Sequence, residues 1–232
     1  MKSRKQNANE LCGRILFITL ILSAVYSLIR AIAAPEQFEP FSAYAHTKSD
    51  YILMFIQCLL GLLVLSLPSI AEKKWKLSIP HFIYIMYYIF LYCAIFLGEV
   101  LSFYYLVPHW DVILHSFSGA MLGALGFILV SWLNDAKQVS VSLSPAFVAL
   151  FAFCFALTCG TLWEIYEYTF DGLLGLNMQK FTTADGVVLA GHDALRDTMK
   201  DVIVDGVSAF AVALLGYIRL KTAKHRADIS EN

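Results

Sequence analysis

Six stretches of this sequence are apolar over about 20 residues, the length that a helix needs to cross the roughly 30 Å hydrocarbon core of a bilayer. Hydrophobic residues make up 59% of the 232 residues and charged residues only 15%, whereas soluble domains average about 25% charged residues. A backbone in lipid must satisfy its own hydrogen bonds, so we predict an all-α fold, a polytopic transmembrane helical bundle. The six spans are expected near residues 13–34, 51–70, 80–106, 110–133, 145–170 and 199–219.

Lysine and arginine residues predict the orientation, because cytoplasmic loops of membrane proteins are enriched in both. If the amino terminus is cytoplasmic, twelve of the seventeen lie on the cytoplasmic side. These twelve are Lys2, Arg4, Lys5, Arg14, Lys73, Lys74, Lys76, Lys137, Arg219, Lys221, Lys224 and Arg226. We therefore expect both termini in the cytoplasm. No Pro-rich or Gly-rich linker and no internal repeat divides the sequence, so we also expect one integral-membrane domain over residues 1–232.

The first span has a second interpretation. A basic start, an apolar core and the small residues Ala31 to Ala34 before Pro35 are also typical of a cleavable signal peptide. The apolar stretch is longer than the usual core of such a peptide, which favours a retained helix. Cleavage would leave the remaining topology unchanged.

Nine histidine and acidic residues lie in or beside the last three spans, towards the face opposite the termini. An ionisable group at the centre of a spanning helix costs roughly 2.5 to 3.5 kcal/mol, so a cluster of such groups indicates a functional site. The nine are His109, Asp111, His115, Glu164, Glu167, Asp171, Asp197, Asp201 and Asp205.

In the fourth span, Asp111 and His115 are four residues apart, and Gly119 and Gly123 continue the same stripe. Residues with this spacing share a helical face. Small residues allow a neighbouring helix to approach closely, so His115 is expected to point into the bundle. Asp111 has a second interpretation, since an acid in a first helical turn complements the helix dipole.

The fifth span ends with Glu164, Glu167 and Asp171 on one face. Acidic groups at a helix carboxyl terminus oppose the macrodipole, so a cationic group or a shared proton is expected to compensate them. The simplest interpretation of Asp171 is a carboxylate solvated at the interface. Glu164 lies about two turns deeper and is harder to explain in this way.

Acidic residues follow one another at every fourth position where the sixth span begins. The stripe runs from the loop into the apolar segment through Asp193, Asp197, Asp201 and Asp205. Asp197, followed by Thr198, is a candidate helix cap. Arg196 and Lys200 are candidate ion-pair partners of the outer acids.

His115, Glu164 and Asp205 each lie about 9 to 12 Å below the outer end of their own helix, by the rise per residue. A histidine and two carboxylates at one level suit a divalent metal ion as cofactor. We therefore predict these three residues as metal ligands and Glu167 or Asp201 as a general base. The further binding candidates are His109, Asp111, Asp171, Asp197 and Glu99. The same groups also suit a proton relay, since carboxylates at close quarters cannot all ionise.

The order of these motifs resembles the VanZ-like and YjdF-like bacterial inner-membrane proteins. The run from His115 to Gly119, then Glu164 and Glu167, then an aspartate-rich entry into the last helix carries the resemblance, which covers roughly residues 105–215. In this chain the glycine follows Asp205 directly. The resemblance implies a cell-envelope protein of the cytoplasmic membrane of a bacterium, with no assigned molecular activity.

Three function classes follow from these patterns. The first is a metal-assisted enzyme acting on a lipid or envelope precursor. The second is a proton- or cation-coupled transporter. Few acids lie on the cytoplasmic half, which counts against a complete pathway, although a homo-oligomer could supply one. The third is a non-catalytic protein that binds headgroups or other ligands. A structural alternative is that the polar groups only form hydrogen bonds between helices, each of which stabilises the fold by about 0.6 kcal/mol. Membrane lipids are the expected partners, whereas the net charge of −1 argues against nucleic acid.

Overall fold

The computed structural model describes residues 2–36, 46–76, 78–135, 143–183 and 186–230. Its helices are α1 (Lys2–Ala33), α2 (Lys48–Val64), α3 (Leu67–Trp75), α4 (His81–Leu91), a π-helix (Tyr92–Val100), α5 (Phe103–Leu106), α6 (Trp110–Asp135), α7 (Pro145–Leu174) and α8 (His192–Ser230). Within the described ranges, β-structure is limited to one isolated bridge between Thr182 and Val188. The prediction of an all-α fold is confirmed.

Among the described residues, six helical stretches are long and apolar enough to cross a membrane, and each overlaps one predicted span. They are Ala8–Ala33, Lys48–Trp75, His81–Val100, Trp110–Leu133, Pro145–Leu174 and His192–Arg226. The prediction of six spans is therefore confirmed, and the chain has the helices of a multi-pass membrane protein. The cytoplasmic placement of the termini stays a prediction, and Lys137, which contributes to it, lies outside the described residues.

The last helix begins earlier than the sequence predicted. Helix α8 starts at His192, directly after Gly191, so Asp197 lies inside the helix and its predicted role as a cap is wrong. Apolarity marks only the part of a helix that lipid surrounds, and it misses polar turns before that part. The exposed pair formed by Arg196 and Asp193, 3.1 Å apart, lies in these polar turns.

The residues group into two compact units. The first comprises Met1–Leu114 with Glu164–Met199, and the second comprises His115–Trp163 with Lys200–Asn232. The expectation of a single integral-membrane domain stays a prediction.

Helices α1, α2 and α4 and the π-helix form the apolar core of the first unit. Its buried members are Leu16, Leu20, Ala24, Cys58, Leu91 and Ile95. Gly61 of α2 allows close packing there, because an added Cβ would lie 2.5 Å from Ile95 and 3.1 Å from Leu20. Helix α1 is thus an integral part of this core.

The third membrane-spanning stretch ends in the π-helix. The amide of Leu101 at its end donates to the carbonyl of Phe96, five residues earlier, at 2.9 Å. Ser102 then adopts a left-handed conformation, with φ of 61°, and α5 follows. Short π-helical segments occur frequently at functional sites, and this one carries Glu99.

Small residues bring the helices of the second unit together. A Cβ on Gly126 would lie 2.7 Å from Cα of Ala152, so α6 and α7 are in backbone contact. A Cβ on Gly119 would lie 2.8 Å from the carbonyl oxygen of Asp205, so α6 and α8 are equally close. Such approach is the usual packing mode of helices in lipid, where van der Waals contact replaces the hydrophobic effect.

Candidate functional site

Four polar side chains of the second unit form a group that we call the His115 cluster: His115 and Ser118 of α6, and Asp201 and Asp205 of α8. Nδ1 of His115 lies 3.3 Å from Oδ2 of Asp205. The hydroxyl of Ser118 lies 3.3 Å from Oδ1 of the same carboxylate and 3.0 Å from the carbonyl oxygen of His115, and it shares its proton between these two acceptors. Asp205 is 1% exposed and His115 is 8% exposed. A ring nitrogen of His115 and a carboxylate oxygen of Asp201 lie within 4.8 Å of each other.

Two glycines make room for the carboxylate of Asp205. A Cβ on Gly160 of α7 would overlap Oδ2 of Asp205 and lie 3.0 Å from its Cγ. A Cβ on Gly119 of α6 would overlap the hydroxyl of Ser208, which itself donates to the carbonyl of Asp205 at 3.1 Å. Side chains larger than hydrogen at either glycine would therefore move Asp205.

The pairing of His115 with Asp205 distinguishes the two ring nitrogens, because Nδ1 is the one that contacts the carboxylate. An ionised carboxylate can only accept hydrogen bonds, so opposite an ionised Asp205 the proton would lie on Nδ1, and Nε2 would be the ring atom that can bind an ion. Histidines that bind metal almost always donate their other ring N–H to a carboxylate, a carbonyl or water. Lys200 Nζ lies 3.8 Å from Oδ1 of Asp201, which agrees with the predicted pairing of Lys200.

A second polar group lies within the first unit. We call it the Lys180 cage, formed by Lys180, Glu99, Tyr104 and Tyr105. Nζ of Lys180 lies 3.8 Å from Oε1 of Glu99 and 4.8 and 5.1 Å from the ring centroids of Tyr104 and Tyr105. The Lys180 and Glu99 side chains are 19% and 13% exposed. An ammonium within about 6 Å of an aromatic face is attracted by the ring quadrupole.

Asp171 holds the loop that carries Lys180. Its carboxylate accepts the backbone N–H groups of Met178 at 2.8 Å and Gln179 at 2.9 Å. Asp171 is buried, so its interpretation as a solvated interfacial carboxylate is wrong. The loop folds back onto the end of α7, and its amides replace water as the donors that the carboxylate needs.

Asn177 connects this loop to the cage. Its side chain pairs with the backbone of Thr182 through both amide atoms, at 2.9 Å to the N–H and 2.7 Å to the carbonyl. It also donates to the hydroxyl of Tyr105 at 3.3 Å. The loop therefore has a defined conformation that aims Lys180 at Glu99.

The carboxylates of the first unit keep Lys180 charged. Burial by itself would lower the pKa of Lys180, but the charge of Glu99, with smaller contributions from Tyr105, Glu167 and Asp111, raises that pKa above its ordinary value. A cationic group was expected to compensate the acids at the end of α7, and Lys180 supplies one for Glu167.

The other predicted site residues are distributed over the first unit. Glu164 is buried there, and its predicted role as a metal ligand stays a prediction. His109 is exposed, with φ of 61°, and its carbonyl accepts the N–H of Ile113 in the first turn of α6. Asp111 lies in that same turn. The binding roles predicted for Asp111, Asp197 and Glu99 and the basic role predicted for Glu167 stay predictions.

Sequence reasoning missed Lys180, Ser118 and Gly160. A signal for Lys180 was present, since it is a lysine in a loop on the side where the orientation rule expects few. Ser118 follows His115 by three residues and so shares its face. Gly160 gave no comparable signal, because its neighbour Asp205 is on another helix.

Similarity to known proteins extends over most of the chain. A protein of Thermotoga maritima, described as an uncharacterized protein, is 29% identical over 158 residues, which cover 68% of this chain and 72% of that protein. No solved structure matches the chain. The model of the family described as "Predicted membrane protein (DUF2238)" matches residues 14–222, so the chain belongs to this family of membrane proteins.

Proposed function

We propose that this protein is a bacterial cell-envelope membrane protein whose His115 cluster binds a divalent cation. The bound cation would assist a reaction of a lipid or envelope precursor. The observation that carries the proposal is the buried pair of His115 and Asp205, 3.3 Å apart, with a carboxylate oxygen of Asp201 within 4.8 Å of a ring nitrogen of His115. Imidazole and carboxylate groups together suit Zn²⁺, Mn²⁺ or Fe²⁺.

The geometry favours different roles for the two aspartates. Asp205 already pairs with His115 through Nδ1, so it is better placed to orient the ring than to bind the ion. Nε2 of His115 and the carboxylate of Asp201 would then be the protein ligands. This assignment replaces the sequence-based expectation that Asp205 is a ligand and Asp201 a base.

An ion held by two protein ligands keeps coordination positions for water and substrate, as catalytic metal sites do. The ion would polarise a phosphoryl or carbonyl oxygen, or lower the pKa of bound water. The surrounding helices bury Asp205 almost completely, and a site that excludes bulk water strengthens these electrostatic effects.

Proton-coupled transport is the second candidate function. A buried histidine paired with a carboxylate is also the arrangement of an intramembrane proton relay. The same contact of His115 with Asp205 supports it. The two candidates differ in whether the purified protein retains an ion.

Elemental analysis of the full chain, purified in detergent without chelators, tests the proposal. We expect near-stoichiometric divalent metal in the parent protein and its loss in the His115→Ala and Asp201→Asn variants. The matched controls are His192→Ala and Asp193→Asn, because both residues are exposed at the start of α8. These controls should retain the metal.

A parent protein without metal would refute the metal-assisted mechanism, and so would equal metal content in all variants. Thermal unfolding midpoints of the variants separate loss of metal from loss of folding. In the absence of metal, proton uptake into liposomes containing the parent or His115→Ala would test the transport alternative.

A further inference from the structure

We propose that the Lys180 cage is a binding site for an organic ammonium group, occupied in this structure by the chain's own Lys180. Glu99 supplies the negative charge at 3.8 Å, and Tyr104 and Tyr105 present their rings to the ammonium. A carboxylate beside aromatic faces is the recognised way in which proteins bind alkylammonium ligands. The proposal is independent of the metal at the His115 cluster.

The walls of the cage do not depend on Lys180 for their position. A Cβ on Gly98 would lie 2.5 Å from the ring of Tyr104, so the end of the π-helix packs directly against that ring. Tyr105 is held by the side chain of Asn177 at 3.3 Å. The cage would therefore remain in place if the ammonium of Lys180 left it.

Lys180 itself is held there by a loop and in an unfavourable conformation. Its φ is 52°, in the left-handed region that residues with a Cβ rarely adopt. Its ammonium also donates to the carbonyl of Asn177 at 3.3 Å. Rotation of the Lys180 side chain out of the cage would leave the cage open to another ammonium group, with Asn177 still bound to Tyr105.

The surrounding charge selects a cation over an anion. The negative charges of Glu167 and Asp111, in addition to that of Glu99, raise the pKa of Lys180. Three acids thus stabilise one positive charge, and they would repel a phosphate or carboxylate ligand. The matching ligand chemistry is a small amine or the amine headgroup of a lipid.

Replacement of Lys180 provides the first test. The tethered ammonium competes at an effective concentration of the order of mM, so Lys180→Ala should open the cage to free amines. We expect propylammonium chloride, titrated in the mM range against NaCl of equal ionic strength, to raise the Tm of this variant saturably. The variant with both Lys180→Ala and Glu99→Gln should not respond, because it lacks the carboxylate.

Equal Tm shifts in the single and double variants, or no shift in either, would overturn the proposal. If Lys180→Ala does not fold, the unaltered protein supplies the test. Tetramethylammonium should increase acylation of Lys180 by an amine-reactive reagent severalfold, measured by peptide mass spectrometry. Lys48 is the control, because it is 45% exposed beside Glu36 and its acylation should not change. Unchanged acylation of Lys180 would also overturn the proposal.

Nanodiscs distinguish the two sources of the ammonium group. Acylation of Lys180 is compared between nanodiscs of phosphatidylcholine, whose quaternary ammonium group the reagent cannot acylate, and nanodiscs of phosphatidylglycerol. Higher acylation in phosphatidylcholine assigns the site to a lipid headgroup. Equal acylation in both, with an increase only on addition of a soluble ammonium ion, assigns it to a free amine.

Discussion

His115 and Asp205 are 90 positions apart in the chain and meet through Nδ1 and Oδ2 at 3.3 Å. The contact joins α6 to α8 at a point where Gly160 of α7 leaves space for the carboxylate. Ser118 donates to the second oxygen of Asp205. The carboxylate is thus bound on both oxygens, and its ring partner has one defined orientation.

The Asp205→Ala variant should show whether His115 and Asp205 form a constrained functional pair or an ordinary polar contact between two helices. It leaves the Nδ1–H of His115 buried without its acceptor, which costs about 1 to 3 kcal/mol. An ordinary polar link between membrane helices contributes about 0.6 kcal/mol. Reversible unfolding in mixed micelles measures the difference, with Asp193→Ala as the exposed control. A loss below about 0.6 kcal/mol, on the scale of an ordinary link, would show that the pair is not a constrained site.

The Asp205→Asn variant should weaken metal binding without abolishing it. Asparagine keeps the shape of the side chain but loses the charge that favours the Nδ1–H form of His115. Loss of such a partner typically reduces metal affinity about 10- to 100-fold. Competition with a chelator measures the affinity. Complete loss of metal would instead indicate that Asp205 is itself a ligand.

Gly160→Ala should disrupt the His115 cluster by steric overlap, without removing any polar group. The added methyl group overlaps Oδ2 of Asp205, and overpacking of this kind costs about 1 to 3 kcal/mol. Gly172 in the same helix is the matched control, because an added Cβ there meets nothing within 4 Å. Gly172→Ala should be neutral or stabilising by up to about 1 kcal/mol. Equal effects of the two variants on Tm would contradict the close contact.

Hydropathy predicted the six spans because a backbone in lipid has few alternatives to the helix. The spacing of the small residues Gly119 and Gly123, on the same face as His115, predicted that His115 points inward. The partner of Glu99 could not be predicted in this way. Lys180 reaches it from a loop whose course depends on the hydrogen bonds of Asn177 and on the left-handed conformations of Gly175 and Lys180. No local periodicity encodes such a contact.

The π-helix was missed for a related reason. Residues 92–100 are apolar on nearly every side of the helix, so the hydrophobic pattern contains no period that distinguishes a π-helix from an α-helix. The start of α8 was misplaced because its first turns are polar. The first error concerns the type of helix within an apolar segment, and the second concerns a helical segment that is not apolar.

Asp171→Ala should loosen the loop after α7. The variant removes the acceptor of two backbone N–H groups, those of Met178 and Gln179, and hydrogen bonds to charged groups contribute about 1.5 to 3 kcal/mol each. Amide hydrogen exchange of residues 176–183 should therefore accelerate by at least about tenfold. Leu173→Ala in the same helix is the control, since Leu173 is 73% exposed. Unchanged exchange in Asp171→Ala would contradict the anchoring role.

The contribution of Lys180 to stability should depend on pH only in the alkaline range. Its pKa is raised above the ordinary value of about 10.4, so the folded state holds the proton more tightly than the unfolded state. The stabilisation is then fully present below pH of about 10.4 and is lost as the pH rises through the raised pKa. The Tm difference between the parent and Lys180→Met should be constant from about pH 7 to 9 and should shrink above this. Lys48→Met, at a far more exposed ion pair, should show almost no difference at any pH. A Lys180→Met difference that already declines between about pH 7 and 9 would mean that Lys180 loses its proton too easily to be held by Glu99.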